Sequence, residues 1–234
     1  MQEYRIASGT ASLLCREAGA GEPLILLHGN GEDGLYFRAQ FEPFSHFYRV
    51  IAVDSRGHGG STLGEEGLSI GRMAEDLLDV MDALGIERAH LLGFSDGGNI
   101  ALTFALAWPR RVDRLVLNGA NLNPAGVKRT VQLPIELGYR IVSRFAGKNE
   151  KAKRKAELLG LMVNEPNVAP EELAGIQART LVIAGTKDLI KADHTRLIAE
   201  KIPDSQLVWI EGGHFVAGKN PEPFNEAVLN FLAQ

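Results

Sequence analysis

One short segment carries most of the chemical information. Gly93-Phe94-Ser95-Asp96-Gly97-Gly98 places a serine between glycines two before and two after it. An apolar run ending at Leu92 precedes it, and an Ala-rich helical pattern over 96–107 follows. A chain that passes from strand to helix within so few residues must reverse sharply. The central side chain is then pushed outward, while Cβ atoms at the flanking positions would meet backbone. The hydroxyl so exposed sits beside a helix N-terminus, where developing negative charge is favoured. Such a serine suits nucleophilic attack on an acyl carbon; the plainer alternative is a helix cap in a glycine-rich loop.

A serine hydroxyl needs a base, and the base needs an orienting group. Of the six histidines, His28 closes a strand, His90 opens one, His46 and His194 lie in or near helices, and His58 follows Val53. His214 differs. It follows the final apolar run in Ile210-Glu-Gly-Gly-His-Phe215, where two glycines allow a mobile loop able to swing an imidazole over the sheet edge. Asp188, in Gly185-Thr-Lys-Asp188 after the run Thr180–Ala184, ends a neighbouring strand on the same edge, although aspartate also serves simply as a turn residue there. The equivalent position after Val112–Leu117 is Asn118, so no competing acid stands there. The expected catalytic set is Ser95, Asp188 and His214.

Positioning these groups requires a sheet. Continuous apolar runs at 23–27, 48–53, 90–92, 112–117, 180–184 and 206–210 read as strands buried on both faces. Helical patterns alternate with them: 70–84, 96–107, 191–202 and 222–233. Two opening strands at 4–8 and 11–16, joined at Gly9, suggest an antiparallel edge. The expectation is one α/β domain over 1–234 with a mostly parallel central sheet and helices on both faces. Residues 121–175 break the rhythm and read as an inserted helical cap over the carboxyl edge. Between 128 and 155 this insertion carries Lys128, Arg129, Arg140, Arg144, Lys148, Lys151, Lys153, Arg154 and Lys155 against Glu136 and Glu150. Most such runs are solvated helix faces; the sharper alternative is a surface that steers an anionic substrate or an acidic carrier protein.

With 234 residues the chain is long enough for a sizeable core. Its net charge of −4 offers no general basic excess for nucleic acid. A single cysteine, Cys15, excludes an internal disulfide or a cysteine cluster. No secretory signal and no apolar stretch of spanning length is visible, so a cytoplasmic protein without a membrane span is expected. Neither H-E-x-x-H nor G-x-x-x-x-G-K-[ST] occurs, so neither metal nor nucleotide cofactor is expected.

Serine, then acid, then histidine is the chain order of α/β-hydrolases, and the sequence resembles that superfamily over nearly its whole length. The matching pieces are His28-Gly-Asn-Gly31, Asp54-Ser-Arg-Gly-His-Gly59, Gly93–Gly98, Asp188 and Gly-Gly-His214. The resemblance implies the α/β-hydrolase fold and an oxyanion hole made by the backbone N–H groups of Asn30 and Asp96. It also implies acyl transfer, since relatives with an aspartate nucleophile take epoxides or alkyl halides. The elbow looks like that of esterases near the biphenyl-hydrolase-like group, some of which accept amino-acid esters. On that likeness His28, Phe94 and Asp96 are candidate substrate contacts. The Asp96 carboxylate either pairs with a substrate ammonium or stabilises its own helix N-terminus. The expected activity is hydrolysis of a small or medium carboxylic ester through an acyl-enzyme.

Two other functions fit parts of the sequence. Gly29-Asn-Gly31-Glu-Asp-Gly34 matches G-x-G-x-x-G after a strand, and Asp54 ends the next strand 20 residues after Gly34, as in an NAD(P)-dependent oxidoreductase. The bulky Tyr36, Phe37 and Phe41 and the two preceding strands speak against that reading. The other is a binding protein on the same fold with turnover lost.

Overall fold

In the computed structural model, which describes residues 1–234, the apolar runs become an eight-stranded sheet. Its strands are β1 (Gln2–Ser8), β2 (Ala11–Ala18), β3 (Pro23–Leu27), β4 (Arg49–Val53), β5 (Ala89–Phe94), β6 (Val112–Asn118), β7 (Arg179–Gly185) and β8 (Ser205–Ile210). The order across the sheet is β1-β2-β4-β3-β5-β6-β7-β8. The hairpin β1–β2 and the pair β2–β4 are antiparallel, and every later pair is parallel. The antiparallel edge turns at Gly9, whose φ of 55° suits a residue without Cβ.

Side-chain alternation divides each central strand between two cores. Ile25, Leu27, Leu91, Leu115 and Leu117 point to one face, and Leu24, Leu26, Leu92 and Val116 to the other. The first face is covered by α2 (Ile70–Ala83), α3 (Asp96–Ala107) and α6 (Ala192–Lys201); the second by α1 (Arg38–Ser45), α7 (Val216–Lys219) and α8 (Pro221–Leu232). Burial on both faces is why these strands read as unbroken apolar runs. No helix is long and apolar enough to cross a membrane.

Helix α2 begins at Ser69, whose side chain accepts a hydrogen bond from the Arg72 N–H at 3.0 Å. Its buried stripe of Ile70, Met73, Ala74, Leu77, Val80 and Met81 has one charged member, Asp76. That carboxylate holds the fully buried Arg56 guanidinium through two oxygens, at 2.9 and 2.7 Å. The pair ties the loop after β4 to the helix. Asp76→Ala is expected to lower stability by about 3 kcal/mol, because it removes the buried one of the two carboxylates, Asp76 and Glu66, that hold this buried cation. Urea unfolding would measure this, and an Arg56→Met, Asp76→Leu double variant should recover most of the loss.

Between β6 and β7 lie two longer helices, α4 (Arg129–Ser143) and α5 (Glu150–Asn164). They are fastened to the body by specific bonds. Arg154 donates to the Gly57 carbonyl at 2.6 Å, Asn30 donates to the Leu158 carbonyl at 3.0 Å, and Lys128 donates to the Asp188 carbonyl. So part of the basic run is structural. The outward side of α4 is not only basic: Leu133, Leu137 and Ile141, four residues apart, are exposed there, with Phe145 exposed just beyond its end.

Candidate active site

The carboxyl ends of β3, β5, β7 and β8 deliver the predicted groups to one rim. Ser95 sits between β5 and α3 with φ 53° and ψ −119°, and no other non-glycine residue has a positive φ. Backbone strain of this kind persists only where the surroundings enforce it. A Cβ at Gly93 would overlap the Gly97 carbonyl, and one at Gly97 would overlap the Leu27 carbonyl. The Ser95 N–H donates to the Asn118 carbonyl at 2.8 Å, which anchors the turn to β6.

His214 faces the serine. Its Nε2 lies 3.0 Å from Ser95 Oγ, and its Nδ1 lies 2.7 Å from Asp188 Oδ1. The imidazole and the Asp188 side chain are both buried. Burial pushes the Asp188 carboxyl up, but the hydrogen bond and charge of His214 outweigh it and hold that carboxyl below the usual range. Amides of Ile190 and Gly185 assist, at 2.9 and 3.3 Å. The loop that carries His214 is tied to the turn after β7, and the close packing there falls on Gly185 rather than on Gly213, where a Cβ would meet nothing nearer than 3.9 Å. Lys187 N–H donates to the Gly212 carbonyl at 2.7 Å, Thr186 N–H donates to the Ile210 carbonyl at 2.9 Å, and a Cβ at Gly185 would overlap the Gly213 carbonyl.

Sequence reasoning missed Gly119. Its φ is 65°, and a Cβ there would lie 2.7 Å from His214 Cε1 and 2.9 Å from Nδ1. A glycine directly after the β6 strand end, where the imidazole must pass, is the signal that could have found it. Gly119→Ala is expected to displace the ring and to lower kcat by roughly 10²-fold, since misplacement by about 1 Å costs that much. Steady-state kinetics beside a thermal melt would separate this from unfolding.

The two expected oxyanion donors, the Asn30 and Asp96 amides, lie on loops that meet next to the serine. Asn30 N–H makes no hydrogen bond within the protein. Asp96 is the first residue of α3, so its N–H has no acceptor in a preceding helical turn. The Asn30 and Asp96 side chains are joined by a 2.9 Å hydrogen bond from Asn30 Nδ2 to Asp96 Oδ2. This bond locks the two donor loops together.

The three side chains expected to touch substrate have the following surroundings. His28 is buried, and both its nitrogens are engaged, Nδ1 with the Gly29 carbonyl at 2.7 Å and Nε2 with the Ser55 N–H at 2.9 Å. Burial, with the neighbouring His58, pushes its pKa down to about 4, so a neutral ring braces the loop. Phe94 is buried against Tyr36, its ring stacked at 4.3 Å, and lies 4.8 Å from the His214 ring. It supports the histidine from behind. The Asp96 carboxylate is occupied by Asn30 and, at 3.3 Å, by Asn99. Burial nonetheless pushes its pKa up.

The nucleotide alternative loses its anchor. Asp54 is fully buried and accepts from Arg16 at 2.5 Å and from the Gly34 and Gly60 amides at 2.8 Å each. Neither oxygen is exposed to a ribose, and the turn at Gly34–Phe37 is a 3-10 segment rather than the start of a long helix. Nor does any group of three or more His, Cys, Asp or Glu side chains gather as a metal site.

The alpha/beta hydrolase fold family matches residues 22–155. A protein of Caulobacter sp. (strain K31), provisionally named carbamate hydrolase RutD, is 31% identical over 97% of this chain and 98% of its own length. The 2-hydroxy-6-oxo-6-phenylhexa-2,4-dienoate hydrolase of Comamonas testosteroni is 31% identical over 93% of this chain and 90% of its own. Among solved structures, Est816, described as an N-acyl homoserine lactone degrading enzyme, superposes with a TM-score of 0.80 at 27% identity, covering 97% of this chain and 100% of its own. The chain therefore belongs to the alpha/beta hydrolase fold family, and it is a hydrolase.

Proposed function

We propose that the chain is a serine hydrolase that cleaves a small or medium carboxylic ester through an acyl-enzyme, with residues 121–175 as a cap over the site. The observation that carries this reading is the continuous relay from Ser95 Oγ through His214 to Asp188, at 3.0 and 2.7 Å. In the first half-reaction Ser95 Oγ attacks the substrate carbonyl while His214 Nε2 accepts its proton. Asp188 keeps the proton on Nδ1 and stabilises the imidazolium. The oxyanion is met by the amides of Asn30 and Asp96, each contributing on the order of 3 kcal/mol. His214 then protonates the leaving alcohol. Water, deprotonated by the same nitrogen, releases the acid and restores Ser95 Oγ–H.

A phosphonate that labels activated serines, followed by p-nitrophenyl esters of increasing chain length, tests the proposal. Labelling confined to Ser95 together with ester turnover is the expected result. Labelling without turnover of any ester would favour a binding protein. The name of the Comamonas testosteroni relative supports a second reading, cleavage of a C–C bond beside a ketone by the same residues. Preference for such a diketone over every ester would establish it. If the free basic side chains of the cap steer an anionic ester, its kcat/KM should fall with ionic strength while that of a neutral ester does not.

A further inference from the structure

The charge of the chain is unevenly placed. Nine of its 25 Lys and Arg residues lie between 128 and 155, against two of its 29 Asp and Glu residues, so a cationic cap stands on a molecule of net charge −4. Some of these cations serve the fold. Lys128 and Arg154 donate to backbone carbonyls of the body, and Arg129 pairs with Glu136 at 3.1 Å. Arg140, Arg144, Lys148, Lys151, Lys153 and Lys155 are exposed and enter no ion pair.

The helix that holds Arg140 also turns apolar side chains outward. Leu133, Leu137 and Ile141 are 52, 58 and 50% exposed, and Phe145 beyond the helix end is 53% exposed. Four-residue spacing puts the first three on one stripe about 12 Å long. This stripe does not face α5. The side of α4 that packs there is marked by Gln132, which donates to the Met162 carbonyl at 3.1 Å, and by Tyr139, whose ring lies 3.4 Å from where a Gly160 Cβ would stand. At about 100° per residue, Arg140 falls beside the apolar stripe, and Arg144 continues the cationic flank at the helix end.

We propose that α4 docks the cap on an anionic lipid bilayer, with Leu133, Leu137 and Ile141 entering the headgroup layer while Arg140 and Arg144 meet lipid phosphates. Apolar side chains flanked by cations on one exposed helix are the pattern of an interfacial helix. Each free cation near an anionic leaflet adds attraction, and a guanidinium binds phosphate oxygens in pairs. The acidic remainder of the chain is repelled by the same surface, which orients the molecule cap first. A second copy is a poorer occupant, because two-fold pairing through this stripe would set Arg140 and Arg144 against their own equivalents. A nucleic acid would use the cations and leave the apolar stripe in water. Docking of this kind needs no substrate, so its test is independent of the ester reading above.

The test is co-flotation of the full chain with vesicles of phosphatidylcholine alone and of equal parts phosphatidylcholine and phosphatidylglycerol. The expected result is recovery with the anionic vesicles only, the partition coefficient falling about tenfold or more between about 0.05 and 0.5 M salt. An Arg140→Glu, Arg144→Glu variant and a Leu137→Ser, Ile141→Ser variant should each lower that coefficient about tenfold or more. Both should melt as wild type does, since the four side chains are exposed. Lys201→Glu, an exposed charge reversal on α6, should leave binding unchanged. No recovery with anionic vesicles, or equal recovery with both kinds, overturns the proposal. So does full binding by the serine variant, which would reduce the attraction to charge alone and favour a polyanion such as nucleic acid. Light scattering that shows a dimer dissociated by the serine variant would assign the stripe to a second copy instead.

Discussion

Ser95→Ala is expected to lower kcat toward any accepted ester by a factor on the order of 10⁶, leaving the fold unchanged. The hydroxyl makes a single hydrogen bond within the protein, the 3.0 Å approach to His214 Nε2, and the ring stays held through Nδ1 by Asp188 when that bond is lost. Alanine keeps the Cβ that the elbow already accommodates. What disappears is the atom that forms the acyl bond. The oxyanion amides remain, so a residual rate above that of water should survive. Because nucleophile and base act as a unit, a Ser95→Ala, His214→Ala double variant should be no slower than Ser95→Ala alone. A single variant that keeps more than a few per cent of wild-type kcat would place the nucleophile elsewhere.

Asp188→Asn should lower kcat by about 10⁴-fold with little change in KM. The physical cause is the tautomer. Two backbone amides, of Ile190 and Gly185, donate to the present carboxylate. Ile190 N–H and His214 Nδ1 share Oδ1, while the Gly185 N–H takes Oδ2. A carboxamide offers one acceptor oxygen for these two places, and with that oxygen held by Gly185 its NH₂ group faces His214 Nδ1. That nitrogen must then accept, so the ring proton moves to Nε2 and points at Ser95. The imidazole can no longer take the serine's proton. Labelling of Ser95 by the phosphonate should slow in parallel with turnover, and a thermal melt within a few degrees of wild type would show that geometry is kept. Full activity in this variant would remove Asp188 from the mechanism.

The sheet and the elbow were legible because their physics is local. Strands buried on both faces announce themselves as unbroken apolar runs, and Gly93, Ser95 and Gly97 must occupy those positions for the chain to turn without collision. The approach of Asp188 and His214 was legible from strand ends, since parallel strands bring their carboxyl ends to one edge. The roles of His28, Phe94 and the Asp96 side chain were not. Whether a polar group near a nucleophile faces substrate or a neighbouring loop depends on which partners reach it, and Ser55 and Asn30 are remote in sequence from His28 and Asp96, the groups they satisfy. The same limit hid Gly119, whose significance lies in a ring that comes from residue 214. Asp54 misled for the opposite reason. Its spacing from Gly34 matches a ribose-binding acid, yet the structure spends that carboxylate on Arg16 and two amides.

The order of the strands also governs when chemistry can begin. The nucleophile is complete by residue 98, but its base arrives with the loop after β8, on the far edge of the sheet. A ribosome-bound chain lacking its last two dozen residues would carry a shaped serine with nothing to deprotonate it. Such an unfinished protein would be chemically silent, so the onset of hydrolysis during synthesis would report the docking of the final strand and not the folding of the first half.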